Sequence, residues 1–192
     1  MAFVCSIASD TYRADTIRNG NAYLSVINVG YDDQENVSYS LVVGLEPLAG
    51  GDYEFFFHLV AANGDDGSEH PYWSARDVAT FIGREDRARI RAVLLTATHS
   101  LVETARPDRV ECVTYDENPP DRALVKYFLI AEVFRGCGYA VTSPDPWHGK
   151  HIWWMERRPQ PYVASTAGGA YGGASEEKSD EPGSADRADE NS

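Results

Sequence analysis

The stretch from Pro119 to Tyr139, PPDRALVKYFLIAEVFRGCGY, constrains the fold of this chain more than any other. Proline opens it, Asp121 lies in its first turn and Arg135 in its last, and Gly136 and Gly138 follow where a left-handed cap is wanted. These are the start and stop signals of one helix. Between Ala123 and Phe134 only Lys126 and Glu132 are polar, so the helix is expected to be buried on nearly every side and wrapped by other elements. It is too short, and too polar at its ends, to span a membrane. Strand-like runs flank it, RVECVTY before and GYAVT after, making a strand, helix, strand unit.

The remainder of the chain supplies the layers that such a helix needs. YLSVINVGY from Tyr23, VSYSLVVGL from Val37 and DYEFFFHLVAA from Asp52 are rich in β-branched and aromatic residues, and DDQEN, EPLAGG and NGDDGS bound them as turns. Three such strands predict an antiparallel meander. Ahead of them, Phe3, Val4 and Ile7 suit an edge strand or a docked arm. The period then changes. Ser74 with Asp77 resembles a capping box, Gly83 stops that turn, and Ile90, Leu94, Ala97, Leu101 and Ala105 recur at helical spacing up to Pro107. At the far end, SPDPWHGK is a turn and HIWWMER a closing strand, hairpin partner of GYAVT. The predicted fold is α+β: a mixed, mostly antiparallel, seven-stranded sheet with helices on its faces.

The 192 residues suffice for one domain with a surplus. The surplus is residues 159–192, an acidic tail rich in Gly, Ser and Ala that is expected to be disordered, leaving 1–158 as the globule. Of the formal charge of −13, the tail carries −5 and the globule −8, from 23 acids against 15 bases. That balance argues against nonspecific binding to nucleic acid or anionic membranes unless a local basic patch overrules it. Cys5, Cys112 and Cys137 are isolated in apolar contexts without CxxC spacing, as reduced thiols are in an intracellular protein. The N-terminus lacks a basic start and a long apolar run, so a cytoplasmic location is expected.

The order of elements resembles the second part of the GNAT superfamily, the acyl-CoA-dependent N-acyltransferases. The sequence echo lies near the end, where a helix, Gly138 and Tyr139, and then Trp153, Trp154, Met155, Glu156 and Arg157 look like that family's helix, GF or GY pair and final strand. The resemblance implies acetyl-CoA or another acyl-CoA as cofactor, with its pyrophosphate on the backbone N–H groups of a glycine-rich loop at a helix N-terminus. The loop after the third meander strand, NGDDGSEHPYW, is then the cofactor-binding candidate, through Asn63, Gly64 and Gly67. Asp65, Asp66 and Glu69 in that loop would repel a pyrophosphate. The family often places a tyrosine four residues before the GF/GY glycine to protonate the departing thiolate; here that residue is Phe134, and Tyr127, two turns earlier, is the substitute.

Other candidates come from the residues alone. His70, in the acidic loop beside Tyr72 and Trp73, is the histidine best suited to act as a base, whereas His58 in its apolar strand and His99 on the long helix read as structural. His148 and His151 have His-x-x-His spacing, but Gly149 and Lys150 make a turn between them and no third ligand has motif spacing, so no metal is assigned. Trp147, His148 and Trp153 make the closing hairpin a candidate partner-binding surface. Arg84, Arg87, Arg89 and Arg91 could contact phosphate, but Glu85 and Asp86 interleave with them, as on a self-paired solvated helix face. Two functions result: a noncatalytic binding or regulatory module for an unknown protein partner, or a divergent acyl-CoA-dependent N-acyltransferase.

Overall fold

The structure, a computed structural model, describes residues 3–8 and 14–159. Residues 160–192, and with them the expected disordered tail, lie outside the described residues. In chain order the elements are β1 (Phe3–Cys5), β2 (Ile17–Asn19), β3 (Ala22–Asp32), β4 (Val37–Pro47), β5 (Tyr53–Asn63), β6 (Glu69–Tyr72), α1 (Ala75–Val78), α2 (Arg84–Ala105), β7 (Arg109–Val113), α3 (Asp121–Gly136), β8 (Tyr139–Thr142) and β9 (Ile152–Arg157). Among them no helix is long and apolar enough to cross a membrane.

The sheet is mixed and mostly antiparallel, as expected, but among the described residues it has nine strands rather than seven. They run β1-β3-β4-β5-β7-β9-β8, with β2 added on β3 and β6 on β5. The two unforeseen strands have physical reasons for being illegible. β2 is three exposed residues with no alternation, and β6, Glu-His-Pro-Tyr, carries a proline that is tolerated only at an edge.

Residues paired across strands share a face, and this locates the core. Leu45 lies opposite Phe55, Leu41 opposite Leu59, Val110 opposite Met155 and Cys112 opposite Trp153, and all eight are buried. Against this side α2 buries Val93, Leu94, Ala97 and Leu101, while α3 buries Leu124, Tyr127, Ile130, Ala131 and Phe134. Phe134 meets Phe55 edge-on at 5.7 Å and Tyr139 at 5.4 Å, and the Tyr139 hydroxyl donates to the Pro107 carbonyl at 2.6 Å. Both long helices therefore cover one face, not two. The opposite face is bare at Val26 and Trp154, each alternating with buried neighbours.

That arrangement corrects the expectation for α3. The helix spans Asp121–Gly136, but it is not wrapped: Val125 is 44 % exposed and Phe128 53 %. With the sheet beneath and α2 on one side, nothing among the described residues covers its outer surface.

The β5 edge shared with β7 is the feature that positions a site. β7 pairs in parallel with β5 only at Tyr53–Val110 and Glu54–Glu111. Further along the same edge, β6 pairs antiparallel with Leu59 to Ala62. Between them the segment 55–58 has no strand partner on that side, so the sheet opens into a gap.

Candidate functional site

Three cavities with shared walls run from the helix N-termini to this gap. The outermost, of about 1110 Å³, lies between the first turns of α2 and α3 and includes Arg84, Arg87, Arg91, Pro120 and Arg122. Through Ser74, Arg87, Arg91 and Arg122 it adjoins an inner groove of about 260 Å³, floored by Leu41, Phe57 and Leu59 and flanked by Ile90 and Lys126. The groove in turn shares Phe57 and Trp73 with a third cavity of about 250 Å³ in the β5–β7 gap, which reaches Tyr115 and Tyr127. A cationic mouth thus leads through an apolar groove to an aromatic end.

The mouth joins two helix starts with a group of arginines. Gly83 and Pro120 cap the two helices without any side-chain hydrogen bond, so the first-turn N–H groups of both helices lack a capping side chain. Among the described residues Arg76, Arg84, Arg87, Arg91 and Arg122 enter no ion pair; Arg89 alone of this stretch does, with Asp86 at 3.4 Å. The expectation of a self-paired helix face therefore fails for three of its four arginines. Asp116 and Glu117 also border the mouth, and Asp116 accepts a 3.3 Å hydrogen bond from Ser74, leaving the cations in excess.

Deeper in, burial sets the protonation states. Lys126 is half-buried and enters no ion pair among the described residues, its ammonium over the rings of Phe57 at 5.0 Å and Tyr127 at 5.1 Å. Desolvation lowers its pKa, partly opposed by Asp116. Burial raises Tyr127, with Cys112 adding to the effect, so its phenol stays protonated, while Cys112 itself is pushed up to about 12. His58 is held between Trp73 at 4.0 Å and Phe56 at 5.8 Å, and desolvation lowers its pKa, keeping the imidazole neutral at pH 7. Its Nδ1 is buried with no hydrogen-bond partner among the described residues.

No family model, no curated protein and no solved structure matches this chain.

Of the expected site residues, only Tyr127 lines these cavities. Asn63 ends β5, and Gly64 and Gly67 lie in the β5–β6 hairpin turn instead of a helix N-terminus. There the Gly64 N–H donates to Asn36 at 2.7 Å and the Gly67 N–H to Asn63 at 2.9 Å, so both amides are already used. His70 is exposed on β6, edge-on to Tyr72, and borders none of the three cavities. Trp153 is a core residue at 2 % exposure, stacked on Tyr127 at 5.1 Å, which removes it from any partner surface; its neighbour Trp154 is 41 % exposed. Trp147, 67 % exposed, and His148 do lie at the surface, where His148 and Gly149 take positive φ in a tight turn closed by Trp147 and Lys150.

Lys126 gives a stability prediction of definite sign. Below its depressed folded pKa the ammonium is charged in both states and folding carries the desolvation cost; as pH rises from that value to the unfolded one, the cost disappears. Lys126→Met is therefore expected to be more stable than the parent at pH 7 in urea denaturation, with the difference shrinking toward pH 10.5. A difference that grows with pH would contradict this account of Lys126.

Proposed function

We propose that this protein binds a phosphate-bearing organic anion of the acyl-CoA class, its phosphates at the arginine mouth and its uncharged arm in the groove toward the β5–β7 gap. The observation that carries this reading is the convergence of Arg87, Arg91 and Arg122, unpaired among the described residues, where a cationic mouth adjoins an apolar groove. Arginine is suited to this by its planar fork of donors, which pairs two-pronged with phosphate. The order of elements supports the choice of ligand: a meander, a strand paired in parallel across a helix, a second helix and a closing hairpin is what the GNAT-like resemblance implies. In this reading the pyrophosphate takes its place at Gly83–Arg84 rather than on the loop after β5.

Calorimetry with acetyl-CoA, coenzyme A and pantetheine tests it. The first two are expected to bind with affinity on the order of micromolar and pantetheine, which lacks the phosphates, far more weakly. Absence of heat with acetyl-CoA at high micromolar concentration rejects the reading.

Acyl transfer is the second reading, and the position of Tyr127 at the gap favours it, since a protonated phenol there can return a proton to a leaving thiolate. Release of free thiol from acetyl-CoA in the presence of small amines, lost in Tyr127→Phe, distinguishes transfer from binding alone.

A further inference from the structure

At the other end of the helix pair, remote in sequence from the arginines at the helix starts, α2 and α3 bring together three donors of different kinds. His99 and Glu103 are one turn apart on α2, and Cys137 is the residue that ends α3. Their ligating atoms, an imidazole nitrogen, a carboxylate oxygen and the thiol sulfur, all lie within 4.8 Å of one another. His99 and Glu103 are exposed and Cys137 half-buried, so an ion has an open path of entry.

We propose that His99, Glu103 and Cys137 form a binding site for a zinc ion, with solvent as fourth ligand. The donor set selects the metal: thiolate with imidazole suits Zn²⁺ and disfavours Mg²⁺ and Ca²⁺, which take oxygen ligands. Bonds of about 2.0–2.3 Å to a tetrahedral zinc put donors roughly 3.3–3.6 Å apart. The observed limit of 4.8 Å is closed by rotation of the two exposed α2 side chains.

Burial and the Glu103 carboxylate together push the Cys137 thiol up to about 11. Arg106 already neutralises Glu103 in part, at 3.5 Å. When zinc binds, the S–H bond breaks, the proton leaves to solvent and an S–Zn bond forms, with no change of oxidation state. The ion then ties the C-terminal turns of α2 and α3 together, the same two helices whose N-terminal ends frame the mouth. Binding to the folded chain alone raises its thermal midpoint.

Cobalt(II) chloride added to the reduced full-length chain tests the site, because a cobalt–thiolate bond gives a near-ultraviolet charge-transfer band. The band is expected in the parent and in Cys112→Ser, to vanish in Cys137→Ser, and to need at least about tenfold more cobalt in His99→Ala; zinc should bleach it. Circular dichroism checks that each variant is folded. No band at millimolar cobalt, or an undiminished band in folded Cys137→Ser, overturns the proposal. Because the probe is the metal alone, the result is independent of whether acetyl-CoA binds.

Discussion

Replacing Arg87 and Arg91 together by alanine is expected to weaken acetyl-CoA binding by roughly a hundredfold. Both line the mouth and the groove, and neither is occupied by an internal carboxylate among the described residues. A charge-assisted hydrogen bond is worth about 1.5–3 kcal/mol when shielded, and solvent at this open mouth reduces that to roughly 1–2 kcal/mol for each arginine, about tenfold apiece. Alanine is a better helix former than arginine, and removing two cations one turn apart relieves repulsion within α2, so the fold should not suffer. Arg89→Ala is the control. It lies on the same helix but borders neither cavity and is paired with Asp86, so its effect on affinity should stay within about threefold.

The second large effect concerns two adjacent tryptophans. Trp153→Ala is expected to destabilise the fold by about 3–5 kcal/mol, since it empties a fully buried site stacked on Tyr127 and touched edge-on by Phe128. Trp154→Ala, one residue on and facing the bare side of the sheet, should cost less than about 1 kcal/mol. Urea midpoints of the two variants check this directly. Equal losses would mean that the second face is covered after all.

Much of the architecture was legible because it rests on local residue patterns. The meander strands are rich in β-branched and aromatic residues between turn signals, α2 keeps helical spacing from Ile90 to Ala105, and the cap signals around Asp121 and Arg135 bound α3 within two residues. What failed was the inference from composition to burial. Val125 and Phe128 are as apolar as Leu124 and Tyr127, yet they face outward because both helices share one face of the sheet, and the distribution of layers is a tertiary property. β6 was hidden by Pro71.

The candidate site was misplaced for a related reason. The resemblance puts the anion-binding helix N-terminus directly after β5, but the hairpin to β6 and the short α1 intervene, carrying the start of the long helix to Gly83. One local signal pointed to the mouth. Arg84, Arg87 and Arg91 share a helix face, and like charges at i and i+4 are unfavourable in an isolated helix, so Arg87 and Arg91 break a local rule without self-pairing. Arg122 could not be connected to them from sequence, because only the packing of α3 beside α2 brings it to the same cavity. The Cys137 cluster was missed likewise: His99 and Glu103 are one turn apart on α2, but their third donor comes from another helix.

The most direct test of the arginine mouth is a crystal structure of the protein with coenzyme A. The account predicts the pyrophosphate between the first turns of α2 and α3, within hydrogen-bond distance of Arg87 or Arg91, and the arm of the ligand running along the groove to the β5–β7 gap. Coenzyme A bound on the hairpin turn at Asn63–Gly67, or on the bare face of the sheet with the mouth unoccupied, would contradict it.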